Sequence, residues 1–315
     1  MAARIVITEF MDEPAVERLR QGGHEVLYEP ALVDDGARLL QLAAGCDVLI
    51  VRNRTQVRGA LVEALARCRI VGRLGVGLDN IDMAACEARG IRVVPATGAN
   101  ALSVAEYVIA SAMVLLRGAF FSTAQVAGGN WPRADLGRGR ETAGKTLGIV
   151  GFGSIGQTTA RLARSLGMDV LAFDPMMEPG HAAYRELGAS ASGLEELLRA
   201  SDVVTLHVPL VDATRGLFNA QCIATMKQGA VLVNTSRGHI VGLQAVVAAL
   251  RSGHLGGAAL DVFDDEPLAA GVVPGDCPNL ILTPHISGVS LESNERVSSL
   301  IATRVLELLQ DGGAR

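Results

Sequence analysis

The chain is poor in the features that mark nucleic-acid-binding and membrane-bound proteins. Lysine occurs only at Lys145 and Lys227 among 315 residues, so nearly all positive charge is arginine, and the formal net charge is −5. A chain with this charge offers no long-range attraction to nucleic acid or to an anionic membrane surface. We therefore expect no partner of either kind.

Cysteine is scarce, and long hydrophobic runs are missing. The five cysteines form no C-x-x-C pair and no metal-ligand spacing, which predicts reduced thiols and no metal site. The most apolar segment, Val104–Leu116, is too short to span a bilayer and contains Glu106, which we expect to make a buried polar contact. The start, Met1–Glu13, is unlike a cationic signal peptide. These observations predict a cytoplasmic protein.

What the chain has is a regular alternation of strand-like and helix-like segments. Hydrophobic residues make up 49% and charged residues 19%, enough to build about two domains. Such alternation predicts an α/β fold of two doubly wound lobes with parallel sheets. The predicted strands are Arg4–Thr8, His24–Tyr28, Cys46–Val51, Arg69–Leu74, Ile91–Val94, Thr146–Val150, Asp169–Phe173, Asp202–His207, Ala230–Asn234, Gly257–Val262 and Leu280–Leu282.

The domain boundaries follow from a long predicted helix, Leu102–Arg117, between the two sets of strands. The last helical segment, Ser290–Leu309, has no strand of its own and is expected to return to the first domain. We predict one discontinuous domain, residues 1–100 plus 287–315, and an inserted domain, residues 101–286. A cleft between two such domains is a common place for a ligand.

A glycine-rich turn follows the first strand of the second set. Gly151, Gly153 and Gly156 have the G-x-G-x-x-G spacing, directly after Leu147–Val150 and at the start of a predicted helix. The glycines allow the tight turn, the approach of the backbone to a pyrophosphate, and close helix–strand packing, while the helix N-terminus faces the phosphate charge. This context predicts a dinucleotide site.

An acid at the end of the next strand indicates which dinucleotide binds. Asp174 lies eighteen positions after Gly156, and no arginine follows it directly. A carboxylate there accepts hydrogen bonds from the ribose hydroxyls and repels a 2′-phosphate. The pattern favours NAD over NADP.

Three further residues follow apolar, strand-like runs near the C-terminal end of the chain: Arg237, Glu266 and His285. Ligands of open α/β sheets bind at the carboxyl ends of strands. An arginine can bind a carboxylate with two hydrogen bonds, and a carboxylate beside a histidine orients the ring for proton transfer near neutral pH. Together they predict a site that holds a 2-keto acid and protonates its carbonyl oxygen.

Seven ordered motifs resemble the D-isomer-specific 2-hydroxyacid dehydrogenase family over almost the whole chain. They are Gly72-Arg73-Leu74-Gly75-Val76-Gly77-Leu78-Asp79-Asn80, Ser103-Val104-Ala105-Glu106, the glycine turn, His207-Val208-Pro209-Leu210, Asn234-Thr235-Ser236-Arg237-Gly238, Asp261-Val262-Phe263 with Glu266-Pro267, and Thr283-Pro284-His285. The resemblance implies a flavodoxin-like substrate domain, an inserted Rossmann NAD-binding domain, and a homodimer.

The resemblance also implies residue roles. Arg237 would bind the substrate carboxylate and keto oxygen, and His285, with Glu266 behind it, would exchange a proton with that oxygen. The backbone of Gly75, Val76 and Gly77 would bind the carboxylate, flanked by Asn53. The positions implied to touch the cofactor, besides the glycines and Asp174, are Ser154, Ile155, His207, Pro209, Thr235, Ser236, Asp261 and Gly288. His207 has an equally good interpretation as a strand-end histidine bonded to backbone, and Asp261 could simply cap its strand.

The far end of the substrate is a separate question. Arg52 and Arg54 flank Asn53 just after a strand and could contact a distal phosphate or sulfonate, as an arginine near this loop does in the phosphoglycerate branch of the family. Equally, one or both could be surface arginines. We therefore expect 3-phosphoglycerate or 3-sulfolactate as the substrate, with glyoxylate/hydroxypyruvate reduction as an alternative. A non-enzymatic, NAD-sensing corepressor is the alternative of another class.

Overall fold

The computed structural model describes residues 2–311 and divides into two compact units. The first is Met1–Asn100 with Val289–Arg315, and the second is Ala101–Gly288. Every strand pair named in the two sheets is parallel, which confirms the predicted α/β class.

The first unit is built on a five-stranded sheet in the order β2-β1-β3-β4-β5, the flavodoxin-like order. Its strands are β1 Arg4–Ile7, β2 Glu25–Tyr28, β3 Val48–Val51, β4 Ile70–Arg73 and β5 Arg92–Pro95. Its helices are α1 Glu13–Gln21, α2 Gly36–Ala43, α3 Ala60–Ala64, α4 Met83–Ala88 and α13 Leu291–Asp311, with a short 3-10 helix at Leu32–Asp34. Alternate residues of β1 enter opposite cores, because side chains of a strand alternate between faces.

The last helix, α13, belongs to the core of this first unit. Val297, Ile301 and Val305 recur every four residues and are buried with Ile5 and Ile50 of the sheet. A side chain at Gly72 of β4 would collide with Ile301, so the helix approaches the sheet over a glycine.

The second unit contains a seven-stranded sheet in the order β12-β11-β10-β9-β6-β7-β8. Its strands are β6 Thr146–Val150, β7 Asp169–Phe173, β8 Ala189–Ala191, β9 Val203–Leu206, β10 Ala230–Asn234, β11 Leu255–Leu260 and β12 Leu280–Leu282. Its helices are α5 Ala101–Arg117, α6 Thr123–Ala127, α7 Arg133–Leu136, α8 Ser154–Ser165, α9 Ala182–Glu186, α10 Leu194–Ala200, α11 Ala220–Thr225 and α12 Leu243–Arg251, with 3-10 turns at Ala119–Ser122 and Gly238–Ile240. Read in chain order, this is the doubly wound Rossmann arrangement with one added edge strand.

Two of the differences from the predicted strands have identifiable reasons. The edge strand β8 was not predicted, because Ala-Ser-Ala carries no branched or aromatic side chain. β11 begins two residues earlier than predicted, at Leu255, since its glycines conceal the strand pattern. A side chain at Gly257 would collide with Asn279 and Leu115, so this glycine permits close packing of α5.

Within residues 2–311 no single helix is both long and apolar enough to cross a membrane, although α5 taken together with Ala119–Ala127, bent by 67°, meets the length and composition test.

Candidate active site

Three adjacent strands of the second sheet, β10, β11 and β12, carry the predicted catalytic residues on the loops at their carboxyl ends. Arg237 follows β10, Glu266 follows β11 and His285 follows β12. A side chain at Gly238 would collide with the backbone of Phe263 and Asp264, so the first two loops touch backbone to backbone. The absence of a side chain at Gly238 thus lets the Arg237 loop lie directly against the Glu266 loop.

His285 and Glu266 form a direct pair. The His285 Nδ1 lies 2.7 Å from Glu266 Oε2, and the other carboxylate oxygen accepts the backbone N–H of Phe263 at 3.0 Å. An ionised carboxylate only accepts hydrogen bonds, so Nδ1 carries the proton and Nε2 is available to a substrate. The histidine side chain is 40% exposed, which leaves its outer edge accessible. The arrangement can deliver or remove one proton.

The loop that carries His285 is organised by Asp261, which is fully buried. Its Oδ1 accepts from the Thr283 hydroxyl at 2.6 Å and from Ile286 N at 2.8 Å, and its Oδ2 accepts from Ser287 N at 2.8 Å. His285 itself has a φ of 53°, an uncommon conformation for a residue with a side chain. The predicted contact of Asp261 with the cofactor stays a prediction, while its bonds to this loop are present in the structure.

The Arg237 loop is held by buried side chains of the same segment. Asn234 is 1% exposed, accepts from Ser236 N at 3.0 Å and donates to the Arg237 carbonyl at 2.9 Å. Ser236 donates its hydroxyl to the Leu206 carbonyl of β9 at 2.6 Å. The backbone on both sides of Arg237 is therefore fixed before any ligand binds.

The glycine turn has the shape that a pyrophosphate needs. Gly151 has a φ of 96° and rests against the His207 carbonyl, while a side chain at Gly156 would collide with the Gly151 carbonyl. At Gly153, which precedes α8, a Cβ would meet nothing within 4 Å. The turn is thus closed toward the protein and open at the start of α8, where Ser154 and Ile155 lie.

Asp174 lies at the end of β7, beside this turn. Its carboxylate accepts the backbone N–H of Phe152 at 2.8 Å and that of Met176 at 2.9 Å. The acid is therefore fixed against the glycine turn, and its predicted contact with the ribose stays a prediction.

The strand-end residues also fit a dinucleotide. The Thr235 hydroxyl is buried and has no hydrogen-bond partner among the described residues, so an incoming polar group would satisfy it. His207 bonds through Nε2 to the Thr205 hydroxyl at 3.1 Å, and burial lowers the pKa of its ring to about 3, so it is neutral near pH 7. His207 bonds to a neighbouring hydroxyl instead of to backbone, and its contact with a cofactor stays a prediction, as do those of Pro209 and Gly288.

In the first unit, the loop Arg52–Thr55 is held by Glu9, a residue that the sequence analysis missed. Glu9 is 4% exposed, and its carboxylate accepts the backbone N–H groups of Arg52 at 2.9 Å, Arg54 at 3.1 Å and Thr55 at 3.0 Å. An acid directly after β1 was the available signal, because parallel strands end at one edge of a sheet.

The two arginines of this loop have different environments. Arg54 is exposed and forms an ion pair with Asp34. Arg52 is half-buried: its guanidinium donates to Asn294 Oδ1 at 2.8 Å and lies 5.7 Å from the centre of the Phe10 ring, and burial lowers its pKa. Asn53, between them, is exposed.

The predicted carboxylate-binding turn lies after β4. Gly75 has a φ of 153°, and a side chain there would collide with the Arg73 guanidinium, which lies across the glycine. Val76 and Gly77 follow it as half-buried residues. The positive φ therefore favours glycine at position 75, and Arg73 is a second residue that sequence reasoning missed.

A glycine-rich turn between a strand and a helix, together with a histidine held by a carboxylate, is typical of nicotinamide-dependent dehydrogenases. The model of one family, "D-isomer specific 2-hydroxyacid dehydrogenase, NAD binding domain", matches residues 109–287. The chain belongs to this family and is an NAD-dependent 2-hydroxyacid dehydrogenase.

Relatives extend the match over almost the whole chain. An (S)-sulfolactate dehydrogenase of Chromohalobacter salexigens is 50% identical over 305 residues, covering 97% of this chain and 98% of that protein. A D-3-phosphoglycerate dehydrogenase of Methanocaldococcus jannaschii is 34% identical; the match covers 98% of this chain but 57% of that longer protein. The crystal structure of an Aquifex aeolicus D-lactate dehydrogenase complexed with NAD and lactic acid has a TM-score of 0.85 at 26% identity, covering 98% of this chain and 96% of that one.

Proposed function

We propose that the chain interconverts a three-carbon 2-hydroxy acid of D configuration and its 2-keto acid, and that the substrate carries a distal anion, with 3-sulfolactate as the first candidate. The observation that supports the distal anion is Arg52, a half-buried cation oriented by Asn294 and Phe10 on a loop anchored by Glu9. The exposed Arg54 is already paired with Asp34. One cation suits the single charge of a sulfonate, and the full-length likeness to a sulfolactate dehydrogenase supports the same choice.

The stereochemical name of that relative is compatible with a D-specific family. In 3-sulfolactate the carbon that bears sulfur outranks the carboxyl carbon, because sulfur outranks oxygen in the priority rules. The arrangement that is labelled R in D-lactate is therefore labelled S in 3-sulfolactate. One binding geometry serves both acids.

The proposed chemistry divides between Arg237, His285 and Glu266. Arg237 binds the carboxylate and keto oxygen of the substrate in the bidentate manner of a guanidinium. During reduction His285 gives the proton on Nε2 to the keto oxygen, and in oxidation it takes the proton back, while Glu266 holds Nδ1 and stabilises the charged ring. NAD, when bound, accepts or supplies the hydride at the substrate C2. The backbone N–H groups of Gly75, Val76 and Gly77 and the side chain of Asn53 are the further carboxylate ligands of this proposal, as the family resemblance implies.

The cofactor set of this proposal is centred on the glycine turn and Asp174. Ser154 and Ile155 begin the helix that faces the pyrophosphate, and the orphaned Thr235 hydroxyl gains a partner when the dinucleotide binds. The remaining members are His207, Pro209, Ser236, Asp261 and Gly288.

A substrate panel tests the proposal. The purified protein with NADH is offered sulfopyruvate, 3-phosphohydroxypyruvate, hydroxypyruvate, glyoxylate and pyruvate, and nicotinamide absorbance is followed. We expect kcat/KM for sulfopyruvate to exceed that for pyruvate about 10- to 150-fold, the factor that a charge-assisted hydrogen bond supplies. Preference for hydroxypyruvate or glyoxylate would make the chain a hydroxypyruvate/glyoxylate reductase. NADH binding without turnover of any acid would indicate the corepressor-like module.

We also propose that the protein works as a cytoplasmic homodimer. Large apolar side chains are exposed in the segment between α5 and β6: Phe120, Phe121, Val126 and Trp131. Exposed apolar residues that cluster in one segment typically mark an interface. The five cysteines are free thiols, which fits a reducing compartment. Sedimentation at two concentrations tests the oligomeric state.

A further inference from the structure

The helix α5 holds both ends of the loop that carries His285. The Ser103 hydroxyl donates to the Ser287 carbonyl at 3.2 Å, and the Tyr107 hydroxyl lies 2.6 Å from the Thr283 hydroxyl. Residues four apart lie on one face of a helix, so one face of α5 contacts the first and last residues of the segment 283–287. Glu106, expected to make a buried contact, is exposed on another face; that expectation was wrong, and the contact belongs to its neighbour Tyr107.

The direction of these hydrogen bonds follows from what each group can do. The Asp261 carboxylate only accepts, so Thr283 gives its single hydroxyl proton to Asp261 at 2.6 Å. The Thr283 oxygen must then accept the proton of Tyr107. Burial raises the pKa of the Tyr107 hydroxyl, which keeps that proton in place. The three side chains form a one-way chain from Tyr107 through Thr283 to Asp261.

This series of hydrogen bonds ends at the backbone on both sides of His285. Asp261 accepts the N–H groups of Ile286 and Ser287, and its own carbonyl accepts the N–H of His285 at 2.8 Å. A positive φ at His285 persists only if its surroundings impose it. The two hydroxyls help to impose it, because the Thr283 hydroxyl binds the same Asp261 oxygen that accepts the N–H of Ile286, and Tyr107 fixes that hydroxyl from α5.

We propose that Tyr107 is a positioning residue for His285, acting through Thr283 and Asp261 to hold the loop 283–287 in the conformation that pairs His285 with Glu266. The inference rests on the proposed acid–base role of His285. It also assigns Thr283 a function as the link between helix and carboxylate.

Single and double variants test whether the hydrogen bonds from Tyr107 through Thr283 to Asp261 position His285. Tyr107→Phe and Thr283→Val each remove one link while keeping the shape of the side chain. We expect each to lower kcat roughly 3- to 30-fold, because a misplaced general acid loses rate, with the Kd for NADH within about twofold of wild type. The double variant should lose no more than the worse single variant, since both break the same chain. Thr283→Ser, which keeps the hydroxyl, should retain a kcat near that of wild type.

The matched control is Tyr28→Phe, which removes a tyrosine hydroxyl that donates to the Met11 carbonyl at 2.9 Å in the first unit. Tyr28→Phe should lower Tm about as much as Tyr107→Phe does, but leave kcat unchanged. A Tyr107→Phe variant with wild-type kcat, or losses in kcat that add in the double variant, would overturn the positioning role. If His285→Ala instead retains activity, the proposed function itself fails, so the two failures are distinguishable.

Discussion

Two loops of this molecule are held in the same way, by a buried carboxylate that binds the loop backbone, and differ in the partners of their side chains. The loop after β12 is held by the buried carboxylate of Asp261, and the loop after β3 by that of Glu9; each carboxylate accepts three hydrogen bonds from its loop. In the catalytic loop the side chain is fixed as well, since His285 is bonded to Glu266. In the other loop Arg54 is paired with an exposed surface acid, Asp34.

We expect the catalytic loop to determine the type of reaction and the Arg52–Thr55 loop to determine the choice of substrate. A change in the catalytic loop disturbs hydrogen bonds that connect its side chains and its backbone to Asp261 and Glu266. A change of the side chain at Arg52 or Arg54 leaves intact the hydrogen bonds from the loop backbone to Glu9. We therefore expect variants of the first loop to affect every substrate, and variants of the second to affect only substrates with a distal anion.

The largest expected effect is that of His285→Ala. Loss of the general acid–base group should lower kcat by roughly 10²–10⁴ for all substrates alike, while NADH binding stays near wild type. Steady-state kinetics and NADH titration measure both quantities. His181→Ala removes an exposed histidine of the same unit and serves as the control. A loss confined to substrates with a distal anion would erase the distinction between the loops.

The second largest effect is expected in the loop after β3. Arg52→Ala should raise KM for sulfopyruvate about 10- to 150-fold by removing a charge-assisted hydrogen bond, and change KM for pyruvate little. Arg54→Ala is the matched variant, and its effect should stay within about fivefold, because solvent screens an exposed ion pair and leaves it little energy. Equal rises for both acids, or a larger effect at Arg54, would refute the assignment of Arg52.

A smaller effect is expected at Asp174. Asp174→Ala should reduce the preference for NAD over NADP about tenfold, since the repulsion of a 2′-phosphate and a ribose hydrogen bond are both lost. The ratio of kcat/KM for the two cofactors measures it. Asp169→Ala, at the exposed start of the same strand, should leave the ratio unchanged. An unchanged ratio in Asp174→Ala would remove this acid from the ribose site.

The smallest effect concerns stability against pH. The pKa of His207 is lowered by burial to about 3, below the ~6.5 of an unfolded histidine. Between those values the unfolded chain binds a proton that the folded chain does not, so stability falls as pH decreases from about 6.5 toward 3. His207→Gln cannot titrate, and its Tm should fall less between pH 6.5 and 4, by a few degrees. Parallel curves of Tm against pH would show that His207 titrates normally.

Whether the sequence predicts the role of a residue depends on the origin of that role. A position directly after a strand is visible in the sequence, whereas a contact with a residue far away in the sequence is not. Arg237, Glu266 and His285 were found because each follows an apolar run, and the carboxyl ends of parallel strands meet at one edge. The Tyr107–Thr283 contact joins residues separated by 176 positions, and which face of α5 meets the loop depends on packing that no local pattern encodes.

The first unit shows the same limit. The Arg54–Asp34 pair joins a loop to the 3-10 helix Leu32–Asp34, 20 positions away, and only the structure distinguishes the paired Arg54 from the half-buried Arg52. The position of Glu9 after β1 can be recognised in the sequence. Its role in holding the loop follows only from the three backbone N–H groups that donate to it in the structure.

The exposed Trp131 gives the protein an optical probe of its own. It is the only tryptophan in the chain, and the residue is 76% exposed in a single copy of the chain. Its emission would shift to the blue if association shields the indole, and dilution would reverse the shift without any added label. Because the remaining aromatic residues are phenylalanine and tyrosine, selective excitation reads this one position alone.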